Sequence, residues 1–141
     1  MKISIPAIIL IVLGILIIAL PWTIAPVCEV NGMYAQLASG KTLPMPCGWT
    51  ARAEIGTGAL TIFAGLLLNF SQSSETKRMM GLFGVALGVV TILFPLSITK
   101  MCALPDHPCN LLTKPVLVIL GIAVIAVSCW IIYGAQKEMA P

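Results

Sequence analysis

Four long apolar runs decide what this chain can fold into. They cover residues 5–27, 49–70, 79–99 and 115–133, and short polar segments separate them. Each run is close to the roughly 20 residues that a helix needs to cross the hydrocarbon core of a bilayer. Because lipid offers no hydrogen-bond partner to a backbone amide, each run must be helical. The sequence therefore predicts one transmembrane domain, residues 1–141, that is an all-α integral membrane four-helix bundle.

The overall composition supports a membrane protein and excludes a nucleic-acid-binding one. Only 9% of the residues are charged, against about 25% in soluble domains, and the mean hydropathy is +1.04. The net charge of +3 is small and is spread along the chain without a basic cluster, so nucleic acid is not an expected partner. The expected partners are membrane lipid and either other membrane protein subunits or further copies of this chain.

The orientation in the membrane is predicted from the cysteines, because the positive-inside comparison gives a tie. Lys2 and the basic turn at Lys77 favour a cytoplasmic side that holds both termini. Thiols gathered on the opposite side suggest an oxidising compartment. We therefore predict a multi-pass protein of the cell (inner) membrane with both termini cytoplasmic and the cysteine-bearing loops extracytoplasmic. Those cysteines are Cys28, Cys47, Cys102 and Cys109.

The chain also shows an internal repeat of a helical hairpin. The segments "GILIIALPWTIAPVC" and "GVVTILFPLSITKMC" align without a gap, and "MPCGWTAR" then aligns with "HPCNLLTK". We predict two tandem units, residues 1–72 and 77–137, arranged as parallel repeats about an axis along the membrane normal. The matched pairs are Gly14 and Gly88, Pro21 and Pro95, Cys28 and Cys102, Cys47 and Cys109, and Arg52 and Lys114.

The four outer cysteines are candidates for disulfides. Four cysteines allow three connectivities, and the repeat favours Cys28–Cys47 and Cys102–Cys109, each of which closes one outer loop. Closing the first loop contributes roughly 3 kcal/mol in the chain-entropy estimate. A reactive thiol–disulfide pair is an alternative, although the Cys-x-x-Cys motif typical of oxidoreductases is absent from the sequence.

A metal site is the second alternative for the same side of the membrane. Thiolate and thioether sulfurs select cuprous ion, so copper is the one cofactor suggested, and no other cofactor is expected. The spacing Cys-x6-Cys between the last two outer cysteines matches no standard metal motif. The candidate ligands are Met45, Cys47, Met101, Cys102, His107 and Cys109.

No catalytic constellation is visible, so the sequence favours a non-enzymatic role and leaves the enzyme question open. The chain has a single histidine and lacks paired carboxylates and a phosphate-binding glycine loop. Trp49, Arg52 and Glu54 lie where the second helix starts and are candidates for a polar or partner contact. Small residues allow close packing of membrane helices. The predicted packing glycines are Gly56, Gly65, Gly84 and Gly88.

The tract "MPCGWTARAEIGTG", with "CALPDHPCN" after the third helix, resembles a family of small bacterial four-helix membrane proteins. This is domain-of-unknown-function family four-four-one-eight. The resemblance covers essentially the whole chain. It rests on Met45, Cys47, the tract from Trp49 to Glu54, and the later pair Cys102 and Cys109.

The resemblance implies a non-enzymatic accessory or interaction subunit of a larger membrane assembly, such as an ATP-binding-cassette transporter. Relatives often carry Met-x-Cys-His, whereas this sequence has Gly48 and Asn110 at the histidine positions, which argues against the metal interpretation. The alternative function is extracytoplasmic copper or thiol-redox handling by the Met/Cys loops. A small channel or transporter formed by oligomerisation is a third class.

Overall fold

The described part of the chain contains four α-helices. The computed structural model describes residues 4–43, 45–98 and 109–139, and describes Met139 by its backbone alone. Two π-helical segments, π1 and π2, extend the third helix and precede the fourth. The elements are α1 (Ile5–Ala19), β1 (Ala35–Gln36), β2 (Thr42–Leu43), α2 (Pro46–Phe70), α3 (Ser74–Leu93), π1 (Phe94–Ile98), π2 (Cys109–Thr113) and α4 (Lys114–Met139).

Within the described ranges, three helical segments are long and apolar enough to cross a membrane. They are Pro46–Phe70, Ser74–Ile98 and Cys109–Glu138. α1 is also apolar but has 15 residues, about 22 Å at 1.5 Å per residue. The prediction of a helical membrane protein is therefore confirmed, and of its four helices three reach spanning length.

The first helix ends earlier than the sequence predicts, at Ala19. Pro21 lacks an amide hydrogen and its ring crowds the preceding turn, so a regular helix cannot continue through it. Turns wider than those of an α-helix follow instead. The Ala25 amide donates to the Leu20 carbonyl, five residues earlier, at 2.9 Å, and the Val27 amide donates to the Pro21 carbonyl, six residues earlier, at 3.1 Å. Residues 20–27, which the sequence predicts as helix, therefore form backbone hydrogen bonds in turns wider than those of an α-helix.

The other helices extend beyond their predicted apolar runs. α2 begins at Pro46, because proline is well suited to the first turn of a helix. α3 begins at Ser74 and α4 ends at Met139, so polar residues form the exposed ends of both. A salt bridge of 2.9 Å between Lys77 and Glu138 joins these two ends.

Glycines let the helices of each antiparallel pair approach closely. α1 packs mainly against α2, and α3 packs mainly against α4. A methyl group added at Gly14 would lie 2.7 Å from the carbonyl oxygen of Gly58, and one added at Gly88 would lie 2.8 Å from that of Gly121. A side chain at either crossing would therefore collide with the backbone of the facing helix.

The predicted packing glycines differ in their surroundings. A methyl group added at Gly65 would lie 2.9 Å from a backbone oxygen of α1, and one added at Gly84 would meet the side chain of Ser128. Gly56 is exposed and an added methyl group there would meet nothing within 4 Å. Gly56 packs against no described helix of this chain, because a shift of two positions from Gly58 turns about 200° around the helix, and a packing role for Gly56 stays a prediction.

The buried side chains form two groups at different levels of the bundle. One group fills the space between α1 and α4, with Leu68 of α2 closing one side. The other group lies at the end of the bundle away from both termini. We call this end the cysteine end, because three members of the group are cysteines. That second group consists of Val27, Cys28, Cys47, Ala51, Cys109 and Leu117.

A buried three-thiol cluster at the cysteine end

Three cysteine sulfurs come together at the cysteine end of the bundle. Cys28, Cys47 and Cys109 are each 0% exposed, and their Sγ atoms all lie within 4.8 Å of one another. The sulfur atoms of Cys28 and Cys109 are 2.9 Å apart. We call this set the thiol cluster. It joins the first two helices of the chain to the last one.

Local backbone geometry places each of the three thiols. Cys28 follows the wide turns after α1, and its carbonyl accepts the Met33 amide at 3.0 Å. Cys47 lies in the first turn of α2, and Cys109 is the first residue of π2. The hydroxyl of Thr113 donates to the Ala25 carbonyl at 2.9 Å, which ties π2 to the turn that precedes Cys28.

The environment of the thiol cluster is apolar and rich in sulfur. Val27, Ala51 and Leu117 are buried with it, and the partly buried Met33 and Met45 pack against it. An apolar site excludes water and leaves the thiols few hydrogen-bond partners. Two thioethers beside three thiols form a donor set of uniformly soft character.

The spacing of the sulfurs suits one metal ion. At a metal–sulfur distance of about 2.3 Å, three ligands in a plane around one ion lie about 4 Å apart. The Cys28 and Cys109 sulfurs would separate by about 1 Å to reach this arrangement, a shift within the reach of side-chain rotation. Thiolate ligands favour Cu(I) and Zn(II), and a structural zinc site normally has four protein ligands.

The predicted disulfides are not confirmed. Among the described residues no disulfide joins the cysteines, and the sulfur of Cys28 lies beside that of Cys109 as well as that of Cys47. The predicted partner of Cys109, Cys102, lies outside the described residues. The remaining cysteine, Cys129, is exposed on α4.

The structure brings together some of the predicted metal ligands. Cys47 and Cys109 belong to the thiol cluster, and Met45 packs against it. The remaining three candidates, Met101, Cys102 and His107, lie outside the described residues.

Two sulfur residues at this site were not predicted as ligands. The sequence predicted Cys28 only as a disulfide partner and gave Met33 no predicted role. Its position in the predicted repeat could have indicated Cys28 as a ligand, because that position is at the same end of the bundle as Cys47. No sequence signal indicated Met33, because it lies in a loop without periodicity.

The predicted contact residues at the start of α2 have separate surroundings. Arg52 Nη2 pairs with Glu29 Oε1 at 2.8 Å, and its guanidinium lies 5.5 Å from the centre of the Trp49 ring. The other Glu29 oxygen lies over Gly48, where a methyl group would come within 2.5 Å of it. This ion pair adjoins the thiol cluster, because Glu29 follows Cys28 and Gly48 follows Cys47.

Glu54, also predicted as a polar or partner contact at the start of the second helix, is buried inside the bundle. It is 0% exposed and does not pair with Arg52. The hydroxyl of Thr57 donates to Glu54 Oε2 at 2.5 Å, while Oε1 is buried without a hydrogen-bond partner among the described residues. From α3, the hydroxyl of Thr91 faces the same carboxyl group, outside hydrogen-bonding geometry with any described atom.

These features define a class: a helical membrane protein with a buried three-thiol cluster at one end of its bundle. Residues 10–134 match the family model described as Domain of unknown function (DUF4418). The chain belongs to this family, which confirms the resemblance seen in its motifs. No curated protein and no solved structure matches the chain. The function must therefore be argued from the site.

Proposed function

We propose that this protein binds a cuprous ion in the membrane through Cys28, Cys47 and Cys109. The observation that carries the proposal is the meeting of three buried sulfurs within 4.8 Å of one another. Thiol-redox handling would use two of these sulfurs, whereas binding of one metal ion uses all three. Met33 and Met45, at the edge of the thiol cluster, supply further soft sulfur for the entry or exit of the ion.

The distribution of the ligands along the chain gives the ion a structural effect as well. Cys28 and Cys47 flank the loop between α1 and α2, whereas Cys109 belongs to the segment that begins α4. An ion held by all three links the two helical hairpins at the cysteine end. Because thiols lose protons when they bind a metal, copper binding then depends on pH and stabilises the folded bundle.

The proposed setting is the cell (inner) membrane, with both termini cytoplasmic and the thiol cluster on the extracytoplasmic side. In this proposal the segment from Ser4 to Glu29 crosses the membrane beside α2. Its contacts support this. The Ser4 amide donates to Asn69 near one end of α2 at 3.4 Å, and Glu29 pairs with Arg52 near the other. The segment thus runs the length of a helix long enough to span the membrane.

The proposed architecture is two duplicated hairpins, and the glycine crossings support it. Gly14 and Gly58 face each other in the first pair of helices as Gly88 and Gly121 do in the second. Gly121 lies one residue further from Cys109 than Gly58 lies from Cys47. The π2 segment accounts for this residue, because a π-helical turn holds more residues than an α-helical one.

A role as an accessory subunit of a larger membrane assembly, such as an ATP-binding-cassette transporter, stays a prediction from the family resemblance. The two roles are compatible, because a membrane subunit that holds a metal ion can deliver it to a transporter. The exposed Trp49 beside Arg52 offers a contact at the cysteine end for such a partner.

Copper titration of the purified protein in lipid nanodiscs tests the proposal. Under anaerobic, reducing conditions, with a chromophoric Cu(I) chelator as competitor, we expect the wild type to bind one Cu(I) per chain. Cys47→Ser and Cys109→Ser should each lower the affinity by at least 100-fold, because each removes one thiolate ligand. Cys129→Ser is the matched control, since its thiol is exposed on α4.

Two results would overturn the copper proposal. One is a wild-type protein whose thiols are shown to be reduced by a thiol-counting reagent and that binds no Cu(I). The other is equal copper binding by the wild type and Cys47→Ser. Preference for zinc over Cu(I) at the same three cysteines would replace the proposed metal while keeping the site.

A further inference from the structure

Below the thiol cluster, the side of α2 that faces α3 carries a line of buried polar side chains. Glu54 is 0% exposed, Thr61 is 1% exposed and Thr91 of α3 is 0% exposed. The bond from the Thr57 hydroxyl to Glu54 lies within this line. We call these residues the polar seam: Glu54, Thr57, Thr61 and Thr91.

The opposite side of the bundle has an apolar counterpart at matching positions. Glu54 lies four residues before Gly58, and Leu117 lies four residues before Gly121. Thr91 lies three residues after Gly88, and Ile17 lies three residues after Gly14. In the same way Leu120 and Val124 match Thr57 and Thr61. We call the counterpart the apolar seam: Ile17, Leu117, Leu120 and Val124, all buried.

This contrast shows that packing does not require an acid at position 54. Leu117 is 1% exposed, so an apolar side chain fills the corresponding place in the same kind of crossing. A buried carboxyl group loses its hydration and is costly unless it is paired. Acidic residues inside membrane helices commonly mark proton or ion pathways. The polar seam therefore has the character of a functional feature.

The surroundings of Glu54 suit the gain and loss of a proton. Thr57 donates to one carboxyl oxygen, which stabilises the ionised form. The other oxygen and the Thr91 hydroxyl have no described partner, so a carboxylic acid hydrogen can be shared between them.

No described charged group faces Glu54. α1 and π1 contain no titratable residue, and the charged residues of α3 lie at its N-terminal end, about 20 Å from Thr91 along the axis. On α2 itself, Arg52 pairs with Glu29. In α4 the charged Lys114 is the first residue, and the stretch around Leu117 and Leu120 is apolar. The titratable group nearest to Glu54 along its own helix face is the thiol of Cys47, a member of the thiol cluster.

The route from Glu54 leads toward the thiol cluster. Cys47 lies seven residues before Glu54, which is two turns of the same helix face and about 10 Å along the axis. The buried Thr50 lies between them. When a thiol binds a metal, its S–H bond breaks, a metal–sulfur bond forms and a proton leaves.

We propose that Glu54 is the proton-exchanging group of this membrane bundle and that its carboxylate takes up a proton released by the thiol cluster when Cu(I) binds. The O–H bond forms on Glu54 as the S–H bond breaks, and the reverse transfer accompanies release of the ion. The coupling to copper rests on the proposed function, whereas reversible proton binding by Glu54 does not.

Infrared difference spectroscopy of the full-length protein in nanodiscs tests this inference. In the metal-free protein, a carboxylic acid C=O band should lose intensity as the pH is raised. This change should be absent from Glu54→Gln and present in Glu138→Gln, which alters an exposed acid. Thr91→Val should shift the frequency of the band. A band that does not change with pH, or that persists in Glu54→Gln, would overturn the inference.

The coupling to copper has its own readout. In weakly buffered solution, the wild type should release fewer protons per bound Cu(I) than Glu54→Gln, by up to one proton, over the pH range in which the Glu54 band titrates. Equal proton release would refute the coupling. If Cu(I) does not bind but the Glu54 band still titrates, the proposed function fails and proton exchange by Glu54 stands.

Discussion

The polar and apolar seams occupy matching sides of one bundle and are built from opposite chemistry. Glu54 and Leu117 are equally buried, at 0% and 1% exposure, and each lies one turn before a glycine that touches the facing helix. The comparison teaches that close helix packing sets which positions are buried, but not whether the buried side chain is polar. The polar seam also leads toward the thiol cluster.

Introducing an acid into the apolar seam should have the largest effect on stability. Leu117→Glu places a carboxyl group at 1% exposure without the hydroxyl partners that Glu54 has. We expect a loss of about 3–5 kcal/mol in the free energy of unfolding, as for an unpaired buried charge. Steric trapping in lipid bicelles measures this change. A loss of less than about 1 kcal/mol would break the comparison between the seams.

The reverse change should be neutral or stabilising. Glu54→Leu copies the apolar seam, and replacing a buried ionisable group by an apolar one often stabilises a protein by about 1–4 kcal/mol. The same unfolding measurement applies, and infrared spectra should show the loss of proton exchange. A strong loss of stability would mean that the bundle depends on Glu54 for its packing.

The two glycine crossings should respond alike. Gly14→Ala and Gly88→Ala each place a methyl group against the backbone of the facing helix, so each should cost about 1–3 kcal/mol, the usual effect of overpacking. Gly56→Ala, where the added methyl group meets nothing within 4 Å, is the control and should be neutral. Unequal effects at the two crossings would weaken the proposed repeat.

The smallest effect is expected at the ion pair beside the thiol cluster. The Arg52 side chain is 46% exposed, and solvent-exposed pairs contribute about 0.2–1 kcal/mol. Arg52→Ala should therefore change the unfolding free energy by less than 1 kcal/mol and leave copper stoichiometry unchanged. Loss of copper binding in this variant would show that the pair with Glu29 helps to hold the thiol cluster together.

The general character of the fold was predictable from local pattern, and the surroundings of individual residues were not. Hydropathy located all four helices, but Pro21 ended the first one early by removing an amide hydrogen. Arg52 and Glu54 were predicted to lie at the start of the second helix as candidates for a polar or partner contact. In the structure Arg52 pairs with Glu29 and Glu54 is buried, because residues two apart point to different sides of a helix.

The sequence by itself determined that the chain is a helical membrane protein of its family, since hydrophobic length and cysteine- and proline-containing motifs are local properties. Only the tertiary structure decided which cysteines meet. The Cys28–Cys109 contact spans 81 positions and depends on the turns after Pro21 and on π2. The predicted repeat paired the cysteines across each loop, whereas helix packing brings Cys109 to Cys28 and Cys47.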